Sequence, residues 1–181
     1  MDPLAIVIPL KEFALAKSRL RRAGITDVDE RSRDWATKVI AASEPRPVYV
    51  ACESSSVARF AEALGTRVLL SDARGLNEAV DFARRSLSSS YQTLMIAHGD
   101  LRDPTGLGAY EPPASVTIVA DHHGTGTNVL VVPGASGFRF AFGNDSARRH
   151  VDEAIRLDLD YEIIRESAWS YDVDEPEDIV R

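Results

Sequence analysis

Short apolar runs alternate with amphipathic stretches along the first hundred positions of the chain. The apolar runs predict β-strands over residues 4–9, 48–52, 67–70 and 93–97. Between them, apolar residues recur three and four positions apart, which predicts helices over 29–43, 57–64 and 77–87. Strands that alternate with helices in this way predict a mostly parallel sheet with helices on both faces. The strands lack polar alternation, as is typical of a sheet covered on both sides.

The pattern changes after residue 100. Strands are predicted over 116–120 and 128–132, a helix over 145–157, and short strands over 162–164 and 169–173. Pro176 is expected to open a final helical turn. No repeat or linker interrupts the chain, so one α/β domain spanning residues 1–181 is expected.

Composition narrows the classes of partner. The chain has 181 residues with 28 acidic side chains against 21 lysines and arginines, a net charge of −7, which argues against general nucleic-acid binding. Its single cysteine, Cys52, excludes an intrachain disulfide and is expected to be a buried, inert thiol. No apolar run approaches the roughly 18 residues of a membrane span, and the N-terminus lacks the basic region of a signal peptide. We therefore expect a cytoplasmic protein with no membrane partner.

Polar residues that follow strands are the first candidates for chemistry, because ligands of open α/β sheets bind at the carboxyl ends of the strands. After the first strand come three cations and a hydroxyl, supplied by Lys11, Lys17, Ser18 and Arg19. With the free N–H groups of a helix start, this segment suits a polyphosphate. The Gly-x-x-x-x-Gly-Lys-Ser/Thr pattern is absent, so it is not a Walker loop. A solvated basic turn fits the spacing equally well.

Acidic residues follow two later strands. Asp100 comes after the fourth strand, and Asp172 and Asp174 would share one face of an extended segment. Asp100 together with one of the other two could bind Mg2+ and substrate phosphates. Turn formation at Asp100 and helix capping by Asp174 ahead of Pro176 are the alternatives.

Two segments lack side-chain bulk and could hold an anion through backbone N–H groups and hydroxyls. One is residues 122–128, His-His-Gly-Thr-Gly-Thr-Asn, and the other is residues 142–146, Phe-Gly-Asn-Asp-Ser. An ordinary turn and an ordinary helix cap are the alternatives. The adjacent His122 and His123 are expected to point apart, which favours loop roles over a shared metal.

These segments, in this order, resemble the CofC/FbiD family of guanylyltransferases. The matching pieces are residues 14–20, 75–79, 99–101, 120–128, 142–146 and 172–178, with Lys-Ser-Arg-Leu and His-Gly-Thr-Gly-Thr-Asn the most specific. The resemblance implies a GT-A-like, Rossmann-like nucleotidyltransferase fold. It also implies transfer of GMP from GTP to 2-phospho-L-lactate, phosphoenolpyruvate or 3-phosphoglycerate, with release of pyrophosphate, in coenzyme F-420 biosynthesis.

The resemblance also implies roles for single residues. Those expected to act in catalysis are Lys17, Arg19 and Asp100. Those expected to bind the nucleotide are Lys11, Lys17, Ser18, Arg19 and Asn77, and those expected to bind the acceptor are Thr127, Gly143 and Ser146. Mg2+ is expected at Asp100 with Asp174 or Asp172, of which the resemblance favours Asp174.

The chain departs from the family pattern beside the presumed metal and acceptor site. His98 and Gly99 precede Asp100, Arg102 follows Leu101, and Glu175 precedes Pro176. These departures leave the acceptor open. Two other functions remain as alternatives: a related nucleotidyltransferase with a molybdopterin or sugar-phosphate acceptor, and a non-catalytic nucleotide-binding module. The first usually has a Gly-rich loop, which is absent ahead of Lys17. Monomer and homodimer are both left open.

Overall fold

Seven strands form one sheet in the computed structural model, which describes residues 2–72 and 74–180. Their bounds are β1 Asp2–Pro9, β2 Val48–Cys52, β3 Arg67–Leu70, β4 Tyr91–Ala97, β5 Val116–Ala120, β6 Thr127–Pro133 and β7 Tyr161–Ile164. The strand order is β3-β2-β1-β4-β6-β5-β7. The helices are α1 Ser18–Arg22, α2 Val28–Ala42, α3 Ser55–Ala63, α4 Leu76–Leu87, α5 Ser146–Arg156 and α6 Pro176–Val180.

The sheet is mostly parallel, which confirms the predicted fold class. Strands β1, β2, β3 and β4 pair in parallel, as do β5 and β7. Strand β6 is antiparallel to both β4 and β5. Thr127, at the start of β6, therefore lies at the same sheet edge as the carboxyl end of β4.

Two apolar clusters cover the two faces of the sheet and explain the unbroken apolar runs. Leu4, Ile6 and Ile8 of β1 pack in one cluster with buried residues of α2 and α3. Ala5 and Val7 point the other way and pack with buried residues of α4 and α5. Because successive side chains of a strand alternate between faces, a strand covered on both sides must be apolar at every position.

The predicted helices and strands begin and end within two residues of the observed ones up to residue 164. The strand predicted over 169–173 is wrong. A 3-10 helix, Ala168–Ser170, lies there, followed by a single bridge between Leu101 and Asp172. The buried Trp169 explains the difference, since its indole N–H donates to the carbonyl of Thr105 at 3.0 Å, and its carbonyl accepts from Asn128 at 3.0 Å. The first bond anchors the Trp169 side chain, and the second uses the Trp169 carbonyl, a backbone group that a strand would pair in a ladder.

No helix among residues 2–72 and 74–180 combines the length and apolar character needed to cross a bilayer.

Candidate active site

A cavity of about 450 Å³ opens at the carboxyl ends of three adjacent parallel strands, β2, β1 and β4. The segments that follow these strands supply much of its wall, as expected for an open α/β sheet. Its polar and charged lining residues are Lys11, Lys17, Ser18, Arg19, Ser32, Cys52, Glu53, His98, Asp100, Asp172 and Asp174. The structure therefore gathers four residues of the predicted basic segment and all three predicted aspartates around one cavity.

Lys17 lies between two of these aspartates. Its backbone is left-handed, with φ of 55°, at the residue that precedes α1. Its ammonium group donates to a carboxylate oxygen of Asp100 and, at 2.7 Å, to Oδ1 of Asp174. Burial acts to lower the pKa of Lys17, but the two carboxylates outweigh burial and raise that pKa above its ordinary value. Lys17 is therefore a permanent positive charge between Asp100 and Asp174.

Asp172 is in a different environment from Asp174. Burial and the negative charges of Asp100 and Asp174 raise the pKa of Asp172. Burial also acts to raise the pKa of Asp174, but the charge of Lys17 outweighs it and leaves that pKa lowered. Three carboxylates thus face one ammonium, and a divalent cation would balance the remaining charge. The side-chain amide of Asn128 donates to Oδ1 of Asp172 at 3.4 Å and orients this carboxylate.

His98 completes a set of three metal-ligating groups. Its ring and the carboxylates of Asp100 and Asp172 each offer one ligand atom, and these atoms lie within 4.8 Å of one another. His98 was given no role from the sequence, although its position directly after β4 was a usable signal, because ligands of open α/β sheets bind at the carboxyl ends of the strands. The resemblance favoured Asp174 as the partner of Asp100. The structure brings Asp172 to Asp100 and His98, and it pairs Asp174 with Lys17.

The other cations of the predicted basic segment also reach the cavity. Lys11 and Arg19 line it, and both are exposed. The Arg19 guanidinium donates to Glu175 at 2.9 Å in a pair that is about half exposed on both sides. Exposed pairs of this kind contribute little to stability. These two side chains are therefore able to exchange solvent and surface partners for an anionic ligand.

Asn77 does not line the cavity. Its side-chain amide donates to the carbonyl of Phe142 at 3.1 Å, and its side-chain oxygen accepts from the N–H of Phe142 at 2.7 Å. Both ends of the Asn77 amide are therefore bonded to one peptide segment, and they fasten α4 to the loop that contains Gly143. Within the matching segment 75–79, it is Gly75, Leu76 and Ala79 that line the cavity.

Two of the three predicted acceptor residues form a buried hydrogen-bonded network. Thr127 and Ser146 are 2% and 1% exposed, and the Ser146 hydroxyl donates to the Thr127 hydroxyl at 3.1 Å. His150 joins them. Its Nε2 accepts from the N–H of Ala141 at 3.0 Å, so its Nδ1 carries the proton and donates to Thr127 at 3.1 Å. Gly143 is exposed and has a φ of +119°, which favours glycine.

His150, which is fully buried on α5, is a site residue that the sequence did not predict. Burial, with smaller contributions from the charges of Arg149 and His98, lowers its pKa to about 4. The ring is therefore neutral at neutral pH. Its spacing of three and four residues from the buried Ala147 and Ala154 was the available signal, since that spacing marks the inward face of a helix.

His122 and His123 lie in a turn, as expected, but the expectation that their side chains point apart is wrong. The rings of His122 and His123 lie 3.8 Å apart, centroid to centroid, and do not point apart. The chain turns tightly here, with Asp121 accepting from Thr125 at 2.9 Å and Gly124 at a φ of +76°. His122 also stacks on Tyr171 at 5.5 Å.

Cys52 is buried, as predicted, and lies in the cavity wall. Burial raises the pKa of its thiol, which lowers the fraction of reactive thiolate.

Comparisons with known proteins show which family and which fold the chain resembles. A family described as "Guanylyl transferase CofC like" matches residues 4–181. A phosphoenolpyruvate guanylyltransferase from Chloroflexus aggregans is 30% identical, over 96% of this chain and 94% of its own. A 3-phospho-D-glycerate guanylyltransferase from Colwellia psychrerythraea is 26% identical, over 96% of this chain and 88% of its own. A nucleotidyl transferase structure from Methanothermobacter thermautotroptrophicus superimposes with a TM-score of 0.68 at 12% identity, over 99% of this chain and 95% of that one. At that identity the structural likeness concerns the fold alone.

Proposed function

The chain belongs to the CofC-like guanylyl transferase family, and from that premise we propose that it transfers GMP from GTP to the phosphate of a small phospho-acid. An oxygen of the acceptor phosphate attacks the α-phosphorus of GTP, the bond between the α- and β-phosphates breaks, and pyrophosphate leaves. The acceptor is already an oxyanion, so the reaction needs no strong general base. The observation that carries the proposal is the cavity that joins the basic segment at Lys17 to the three aspartates.

The first loop is proposed to hold the triphosphate. Lys11, Lys17 and Arg19 supply positive charge, and Ser18 supplies a hydroxyl, all in the cavity wall. Catalysis of this kind is mostly positioning and neutralisation of charge. Asp174 holds the Lys17 ammonium at 2.7 Å and so keeps a cation beside Asp100.

Asp100 and Asp172 are proposed to hold the divalent cation, for which the resemblance implies Mg2+. The residues fit a dication, because their ligand atoms converge with that of His98 and their charge exceeds that of Lys17. Such an ion, when bound, neutralises phosphate charge. Asn128 orients Asp172, and Lys17 orients Asp100 through their direct ion pair.

The acceptor is proposed to bind at the loop around Gly143. Phe142 packs its ring 5.5 Å from the ring of His98, so this loop adjoins the carboxylate cluster. Gly143 is exposed and lets an anion approach the backbone. Thr127 and Ser146 lie beneath, where their hydroxyls fix the start of α5. An anion held mainly by backbone dipoles is expected to bind modestly by itself and more tightly once GTP and the cation are present.

Glu53 is proposed to select guanine. It follows β2 in the cavity wall and is exposed, and within the described residues it has no hydrogen bond or ion pair. A carboxylate accepts hydrogen bonds from the ring N–H and the amino group of guanine, whereas adenine and cytosine present a ring nitrogen that is itself an acceptor. Glu53→Gln is expected to lower kcat/KM for GTP by about ten- to a hundredfold, the value of a charged hydrogen bond. The same change should admit xanthosine triphosphate, while Glu62→Gln on α3 leaves both unchanged.

The names of the relatives favour phosphoenolpyruvate or 3-phospho-D-glycerate as the acceptor, and the resemblance adds 2-phospho-L-lactate and a place in coenzyme F-420 biosynthesis. The test is pyrophosphate release with each of the four nucleoside triphosphates, offered in turn with each phospho-acid and with a sugar phosphate. We expect release only with GTP and one of the three phospho-acids. Release with CTP and a sugar phosphate would support the rival nucleotidyltransferase, and binding of GTP without release in any mixture would support a non-catalytic module.

A further inference from the structure

His98 is held in a fixed position beside the carboxylate cluster. Its backbone N–H donates to the carbonyl of Asn128 at 3.0 Å, which continues the β4–β6 pairing by one residue. Its ring packs against the ring of Phe142, centroid to centroid at 5.5 Å. The imidazole is therefore supported on two sides, and its position does not depend on a ligand.

One nitrogen of this ring is unsatisfied. His98 Nε2 is buried and has no hydrogen-bond partner within the described part of the chain. A buried polar atom without a partner is costly, and native proteins rarely keep one without a reason. Carboxylate oxygens of Asp100 and Asp172 lie within 4.8 Å of a nitrogen of this ring. The His98 ring and the two carboxylates therefore each turn a ligand atom towards one small region, where Lys17 donates to Asp100 and Asn128 donates to Asp172 but no group of the described residues bonds His98 Nε2.

The donor set distinguishes between metals. Mg2+ requires near-octahedral oxygen ligands and usually keeps several of its waters. Imidazole nitrogen binds first-row transition ions better than it binds Mg2+. We propose that His98, Asp100 and Asp172 form a mixed nitrogen and oxygen site that prefers a first-row transition dication, such as Mn2+ or Co2+, over Mg2+. The inference rests on the proposed function only in that the ion would serve GTP at this cavity.

The test is metal binding by the full chain without nucleotide. Co2+ and Mg2+ are titrated calorimetrically into the wild-type protein and into His98→Gln, which offers an amide in place of the ring. We expect His98→Gln to weaken Co2+ binding by at least about tenfold, the lower end of what losing even an indirect partner costs a metal site. Mg2+ binding should stay essentially unchanged. The matched control is His123→Gln at an exposed histidine, which should leave both affinities unchanged.

A spectroscopic measurement keeps the proposal falsifiable if His98→Gln does not fold. Pulsed electron paramagnetic resonance of Mn2+ bound to the wild-type protein should show coupling to an imidazole nitrogen, and labelling histidine with 15N should change that signal. Absence of the coupling, or an equal ratio of Co2+ to Mg2+ affinity in wild type and folded His98→Gln, would overturn the proposal. Coupling without pyrophosphate release in any substrate mixture would leave this site standing and contradict the proposed function alone.

Discussion

Two polar networks lie at the same edge of the sheet and differ in how complete they are. The first joins Lys17 to Asp100 and Asp174 and places Asp172 and His98 beside Asp100. It is charged, faces a cavity and includes the unpartnered nitrogen of His98. The second joins Thr127, Ser146 and His150; it is neutral and buried, and its members bond one another. The first network needs an external ion or phosphate to balance its groups, whereas the second is balanced by the protein itself. The first network is therefore suited to binding substrate and cation, and the second to holding the surrounding segments in position.

The largest effect is expected from a substitution at the centre of the first network. Asp100→Asn should lower turnover by about a thousandfold, because charge stabilisation by a bound ion is worth several kcal/mol and 1.36 kcal/mol corresponds to tenfold in rate. The melting temperature should change little, since Asp100 lines a cavity. Steady-state pyrophosphate release is the measurement, with Asp152→Asn on α5 as the control. A fully active Asp100→Asn enzyme that tolerates a chelator would refute the assignment.

The next largest effect is the pH dependence of stability that the second network causes. His150 has a folded-state pKa of about 4 against 6.5 for the free side chain, so the folded state disfavours its protonation. The contribution of neutral His150 to the free energy of unfolding is complete above pH 6.5. It is lost as the pH falls towards 4, by about 3 kcal/mol in total. Urea unfolding at pH 7 and pH 5 should therefore show a steeper loss of stability in wild type than in His150→Gln. Parallel losses in the two proteins would show that His150 is not held neutral.

Loss of the cation in the first network should weaken nucleotide binding. Lys17→Met removes a charge-assisted contact, so the Kd for GTP should rise by the equivalent of about 1.5–3 kcal/mol. Lys38→Met is the matched control, because Lys38 is exposed on α2. Calorimetric titration with GTP measures the Kd of the wild type and of both variants. Equal affinity and turnover in wild type and Lys17→Met would remove Lys17 from the nucleotide site.

The smallest effect tests whether the second network positions the acceptor. Ser146→Ala should raise the acceptor KM by about tenfold and leave the KM for GTP nearly unchanged, the consequence of one hydrogen bond lost beneath an anion site. Ser86→Ala, on the exposed face of α4, is the control. Steady-state kinetics with each substrate varied in turn separates the two constants. If the KM for GTP rises and that for the acceptor does not, the two substrates have been placed the wrong way round.

Apolar periodicity was sufficient to predict most of the fold. Strands covered on both faces are continuous apolar runs, and helices with one buried face have apolar residues three and four positions apart. Asp100 and Lys17 could be predicted for a related reason, since polar residues directly after parallel strands converge at one edge. The structure of the segment at Trp169 could not be predicted, because hydrogen bonds between Trp169 and the distant residues Thr105 and Asn128 override the local strand preference.

Individual partners within the site were less predictable than its location. His98 and His150 are both surrounded by segments that are distant in sequence. Tertiary packing alone therefore leaves His98 Nε2 without a partner and keeps the His150 ring neutral. Asn77 was expected at the nucleotide, but both ends of its amide are bonded to Phe142. Its residue type suits either role, and only the fold shows which groups it meets.

The measurement that tests the central claim most directly is a phosphorus NMR spectrum of the products. The protein is incubated with GTP, a divalent cation and, in separate samples, each of the three phospho-acids. The account predicts pyrophosphate together with a pair of coupled resonances from a new diphosphate that joins GMP to one phospho-acid. Phosphate and GDP, or GMP and pyrophosphate without the coupled pair in any sample, would contradict the claim that this chain is a phospho-acid guanylyltransferase.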